Sequence, residues 1–86
     1  SSRIIVYINR MLESILKSIA KIKSKDQIDL IKYDDDLLRD SHLDSMEVTE
    51  LILDLEEMYN FNYEDFEKKY KFLSINNLVN FFNEKN

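Results

Sequence analysis

Leu43-Asp44-Ser45-Met46-Glu47-Val48-Thr49-Glu50-Leu51-Ile52-Leu53-Asp54-Leu55-Glu56-Glu57-Met58-Tyr59, residues 43–59, reads as one helix. Asp44 followed by Glu47 has the spacing of a capping box, with Asp where the box usually has Ser or Thr. With Asp44 as N-cap, Ser45 takes the first helical position and its hydroxyl is free to face solvent. At about 100° per residue, Val48, Leu51, Ile52, Leu55, Met58 and Tyr59 fall on one arc, the face to be buried. Glu47, Glu50, Asp54 and Glu57 gather within about 80° on another arc. Met46 and Leu53 lie outside the buried arc, beside the acidic one. Exposed apolar residues flanked by acids have the anatomy of a small protein-binding patch. The competing account is that single exposed hydrophobes are ordinary and that Leu53 packs on the preceding loop. A serine at a helix N-terminus is well placed to carry a phosphate, because the first turn offers unpaired N–H groups and a positive dipole end.

Outward from this helix, three further segments have helical period. Ile4/Ile5, Ile8, Leu12, Ile15/Leu16, Ile19 and Ile22 recur at i, i+3/i+4, i+7 spacing and predict a first helix over about 3–22. A long connection follows, roughly 23–43, whose scattered apolar residues Ile28, Leu30, Ile31, Tyr33, Leu37 and Leu38 suggest that it lies against the core. A short third helix is predicted over roughly 64–70, with Phe66 and Tyr70. Ser74 has the place of an N-cap for a last helix in which Ile75, Leu78, Val79 and Phe82 share a face. The expected fold is therefore all-α, a four-helix bundle with a long loop between the first two helices and a short third helix. Residues 1–86 form one expected domain, without an internal repeat or linker.

The composition narrows the class of function. The chain has no cysteine, glycine or proline. Disulfides and thiolate metal sites are therefore excluded, as are glycine-rich phosphate loops, and a reducing compartment is the natural home. The first residues, Ser1 to Tyr7, are interrupted by Asn9 and Arg10 too early for a signal-peptide core, and no run of about 18 uncharged apolar residues appears. A soluble, cytoplasmic protein without a membrane span is expected. The net charge of −5 is unevenly spread: residues 1–39 carry +2, residues 40–67 carry −10 with no Lys or Arg, and residues 68–86 carry +3. Such an acidic field repels nucleic acid and attracts basic protein surfaces, although most charge runs are solvated faces.

Catalytic arrangements find little support. His42 and Ser45 are three apart, but there is no second histidine and no glycine for an oxyanion turn, so a solvent-exposed loop histidine is expected. Asp34-Asp35-Asp36 lacks the spacing and the glycine of an EF-hand and reads as a solvated loop, with no metal ligands assigned. Tyr7, Tyr33, Phe61, Tyr63, Phe66, Phe72 and Phe81 read as core or loop packing.

Leu43-Asp44-Ser45-Met46, the run Glu47-Val48-Thr49-Glu50-Leu51 and the ending Leu55-Glu56-Glu57-Met58-Tyr59 together resemble the acyl carrier protein family. That family opens its second helix with an Asp-Ser-Leu-like triplet and continues with a Glu-rich, Val/Leu-rich run ending Leu-Glu-Glu-x-Phe. Phe72-Leu73-Ser74-Ile75 resembles the family's step into its last helix. Helix order and the long first loop agree, so the resemblance covers nearly the whole chain.

The resemblance implies a non-enzymatic carrier. Ser45 would bear 4′-phosphopantetheine, installed from coenzyme A by a phosphopantetheinyl transferase, and the arm's thiol would hold acyl or aminoacyl groups as thioesters. Asp44 would cap the helix and form part of the transferase's recognition motif. Glu47, Glu50, Asp54 and Glu57, with Met46 and Leu53 as apolar contacts, match the family's docking face for loading ligases and for synthases or transferases with basic patches. A monomer without nucleic-acid partners is implied. Three departures stand out. His42 replaces the glycine usual two positions before the Asp-Ser pair; Thr49 stands where an apolar residue is usual near the acyl pocket; and Asn62-Tyr63-Glu64 lacks the proline common before the third helix. The acidic stripe fits fatty-acid and polyketide carriers. Ser74-Ile75-Asn76-Asn77-Leu78-Val79-Asn80 is similar to the last helix of D-alanyl carrier proteins, and Leu43-Asp44-Ser45 also suits aminoacyl and peptidyl carriers. From another class altogether, the same face would serve an unmodified acidic helical interaction domain.

Overall fold

The computed structural model describes residues 2–84, without the side chains of Ser2 and Ile4. The place of Ile4 on the apolar face therefore lies outside the described side chains, and Ser1, Lys85 and Asn86 lie outside the described residues. Five helices follow one another: α1 (Ser2–Ala20), α2 (Lys25–Asp29), α3 (Ser45–Tyr59), α4 (Tyr63–Lys69) and α5 (Ile75–Glu84). No strand occurs among the described residues. The radius of gyration, 12.3 Å, matches the roughly 12 Å expected of a compact chain of this length.

Helix α1 is the spine, packing against α5, α3 and α2. Its buried stripe is Met11, Ile15, Ser18 and Ile19, flanked by half-buried Ile8, Leu12 and Leu16. Met11 and Ser18 were not expected in the stripe, and Ile5, expected in it, is 61% exposed. The helix closes at Ala20, two residues before the predicted end. The Lys21 and Ile22 N–H groups turn to the carbonyls three residues back, at 3.3 and 2.9 Å, tightening the last turn.

The predicted 23–43 loop contains a helix. Ser24 Oγ accepts from the Gln27 N–H while Gln27 Oε1 accepts from the Ser24 N–H at 3.1 Å, a capping box that starts α2. The rest of the connection does lie against the core, through Ile31, Leu37 and Leu43. Leu30, Tyr33 and Leu38 instead face solvent, at 73, 42 and 44% exposure.

Asp36 organises that connection. Its side chain is buried, in contrast to the solvated loop expected there. Oδ1 accepts from the Leu38 and Arg39 N–H groups at 3.0 and 2.8 Å, and Oδ2 accepts from the Leu73 N–H at 3.0 Å. The Leu37 N–H returns a 2.9 Å bond to the Leu73 carbonyl, so the loop is stitched to the segment entering α5. The Leu37 carbonyl then accepts from both His42 and Leu43, at 3.1 and 2.8 Å, which aims the chain into α3.

Without glycine, the left-handed backbone positions fall to Ser41 (φ 62°), directly before His42, and to Asn60 (φ 52°), which ends α3. Asn62 caps α4, and Ser74 Oγ accepts from the Asn77 N–H at 3.1 Å as the expected cap of α5. Within the core, Phe61, Phe66, Phe81 and Phe82 interlock mostly edge to face, with Tyr59 stacked on Phe82 at 4.5 Å. Phe72, expected in core or loop packing, is 45% exposed, with the Arg39 guanidinium and the Lys71 ammonium 5.8 and 5.7 Å from its ring centre.

Candidate functional site

Ser45 is the first residue of α3 and is exposed. Asp44 precedes it as N-cap: the Glu47 N–H donates to Asp44 Oδ1 at 2.8 Å, and Glu47 Oε1 accepts from the Asp44 N–H at 3.0 Å. Both halves of the expected capping box are thus present, fixing the backbone on either side of Ser45. Thr49 Oγ1 donates back to the Ser45 carbonyl at 2.9 Å, so its hydroxyl is spent on the first turn.

The serine opens onto a cleft of about 410 Å³ that is also lined by Lys23, Leu38, Ser41, His42, Leu43, Asp44 and Glu47. Lys23, just beyond α1, reaches Glu47 Oε2 with its Nζ at 3.0 Å, both side chains being 21% exposed. His42 is not the solvent-exposed loop residue expected from sequence. Its side chain is 17% exposed, and Nε2 lies 2.9 Å from Asp35 Oδ2. That histidine, and next the Lys32 N–H, hold the Asp35 carboxyl below the ordinary carboxylate value. The other two acids of the run are also engaged, Asp34 by Asn76 Nδ2 at 2.6 Å and Asp36 by the backbone groups described above.

Along α3 the buried face is Val48, Leu51 and Leu55, with Ile52 and Tyr59 half-buried. Met58, expected on that face, is 45% exposed. It sits about 20° outside Leu51 by helical arithmetic, in the last turn, where less of the bundle covers it. Met46 and Leu53 are exposed as expected, at 75 and 58%. Leu53 borders a groove of about 290 Å³ beside the α1 terminus, together with Lys21, Ile22, Glu50 and Glu57.

The four acids of the stripe divide into two pairs. Glu50 and Glu57 are exposed and make no ion pair among the described residues. Glu47 and Asp54 are turned inward. Asp54 accepts from Ser18 Oγ at 2.6 Å and from Lys21 Nζ at 3.1 Å. The serine hydroxyl first, and then the ammonium, hold its carboxyl below the ordinary value.

Lys21, Lys23, Ser18 and Asp36 were not identified from sequence as neighbours of this site. None of them had a local signal, because the packing of the chain is what brings the α1 terminus beside α3. No helix among the described residues is long and apolar enough to cross a membrane. Compared with known proteins, the chain matches no family model, no curated protein and no solved structure.

Proposed function

We propose that this chain is a carrier protein of acyl carrier type, holding acyl or aminoacyl groups as thioesters on a 4′-phosphopantetheine arm attached to Ser45. The observation that carries the proposal is the presentation of Ser45. It is an exposed hydroxyl on the first residue of a capped helix, open to a cleft that contains a lysine and a histidine. A phosphodiester formed there meets the N–H groups of the first turn and the positive end of α3. Asp44 and Glu47 hold the turn in shape, and Asp44 presents its carboxylate beside the serine for the transferase.

The four longer helices, with the connection between α1 and α3 folded onto the core, fit the bundle expected of this class. The one-turn α2 lies within that connection. Partner enzymes with basic patches would meet the outward surface of α3, where Met46, Glu50, Leu53 and Glu57 are presented together. Glu47 and Asp54 would contribute to the field there while remaining bonded to Lys23, Ser18 and Lys21.

Incubation with a fluorescent coenzyme A analogue and a permissive phosphopantetheinyl transferase tests the proposal. Covalent labelling that disappears in Ser45→Ala is expected. A chain that stays unlabelled while a control carrier is labelled belongs instead to the class of unmodified acidic interaction domains.

A further inference from the structure

Leu38, Arg39, Lys71 and Phe72 form a surface patch that the carrier function leaves unused. Leu38 and Phe72 are 44 and 45% exposed, and both cations are exposed. The first pair comes from the connection before α3 and the second from the segment entering α5. One buried carboxylate joins them: Asp36 Oδ1 accepts from the Leu38 and Arg39 N–H groups, and its Oδ2 accepts from the Leu73 N–H. Asn77 Nδ2 also donates to the Phe72 carbonyl at 2.9 Å. The backbone beneath the four side chains is thus held before any partner arrives, which lowers the ordering cost of binding.

An exposed aromatic ring beside an arginine has the composition of an interface centre. Arg39 and Lys71 make no ion pair among the described residues, whereas Lys21 and Lys23 are both engaged by acids of α3. Both unpaired cations lie within cation–π reach of Phe72, a weak interaction at an exposed site that leaves their N–H donors open. They also border a hollow of about 200 Å³ with aromatic walls from Tyr63, Phe66 and Tyr70. Glu67 lines the same hollow but pairs with neither cation, and the carboxylate of Asp36 is occupied by its three N–H donors.

We infer that this patch docks a partner protein through a segment presenting carboxylates beside an aliphatic side chain. A carboxylate meets Arg39 and Lys71 next to Phe72, and the aliphatic group enters the aromatic-walled hollow. The sign is opposite to that of the outward face of α3, so the complementary surface is acidic. Nucleic acid also offers anions and stacking, but the net charge of −5 opposes it. The inference is independent of Ser45 and of any arm attached there.

The test titrates unmodified, ¹⁵N-labelled protein with an acetylated Glu-Leu-Glu-Leu-Glu peptide amide, followed by amide chemical shifts. Saturable shifts centred on Leu38, Arg39, Lys71 and Phe72 are expected. The counterpart peptide with glutamine for every glutamate should bind about tenfold more weakly, as should Arg39→Gln with Lys71→Gln against the original peptide. Phe72→Ala should weaken binding as well, with circular dichroism unchanged in each variant. No saturable shift, equal affinity for the glutamine peptide, or shifts centred on Lys21 and Lys23 would overturn the inference. Tighter binding of an oligothymidylate than of the peptide would overturn it too, in favour of a nucleic-acid surface.

Discussion

Ser18 Oγ on α1 donates a 2.6 Å hydrogen bond to Asp54 Oδ2 on α3, and the Ser18 side chain is buried. One acid of a stripe that reads as a partner surface is thus also a tie between two helices. Two roles for one side chain have different energetic signatures.

Asp54→Ala leaves a buried hydroxyl without its acceptor, at a cost of about 1–2 kcal/mol. In a domain of this size the melting temperature should fall by roughly 4–15 °C. Glu50→Ala and Glu57→Ala, whose side chains are exposed, should stay within about 0.5 kcal/mol of the parent. Thermal or urea denaturation of the three variants checks the division.

The same tie predicts a pH dependence. The folded protein holds the Asp54 carboxyl below its ordinary value of 3.8, through Ser18 first and Lys21 second. A depressed folded value contributes stability that is present above the unfolded value and lost as pH falls through the folded one. The stability difference between the parent and Asp54→Asn should therefore be full near neutral pH and shrink as the pH drops below 3.8. Urea midpoints measured across that range give the answer; a gap that widens in acid would contradict the assignment.

Asp36→Ala should be the more damaging loop substitution. Its carboxylate accepts three backbone N–H groups, one of them from Leu73 across the molecule. Removing it strands the Leu73 donor in a buried setting and the other two in part-buried ones, and should cost about 2–4 kcal/mol. Asp34→Ala breaks one exposed side-chain bond and should cost less than about 1 kcal/mol. Hydrogen exchange would locate the Asp36 effect at Leu38, Arg39 and Leu73.

How far the sequence reached can be traced to particular residues. The α3 box at Asp44 and Glu47, the Ser74 cap and the Leu51/Leu55 stripe follow from local spacing, and all are present. The capping box at Ser24 and Gln27 was equally local, but the length of the 23–43 connection obscured it. Asp36 was harder to identify. Its partners are backbone groups, one of them 37 residues away, and nothing in a run of three aspartates marks which one turns inward. Lys21 and Lys23 came beside α3 only through the packing of the α1 terminus, so no spacing rule reveals their pairing with Asp54 and Glu47.

The outward surface of α3 carries its own prediction. Glu50→Lys with Glu57→Lys should lower turnover of the carrier by a basic partner enzyme about tenfold, equivalent to about 1.4 kcal/mol, with unchanged circular dichroism. Met46→Ala or Leu53→Ala should weaken turnover without changing its salt dependence, because neither removes charge. Unchanged turnover in all of these variants would make the surface an ordinary solvated face.

The measurement that bears most directly on the carrier function is intact mass spectrometry after incubation with coenzyme A and a phosphopantetheinyl transferase, followed by peptide mapping. A gain of one phosphopantetheine, located on Ser45 and absent from Ser45→Ala, is the predicted result. No gain, or an equal gain in Ser45→Ala, would contradict it.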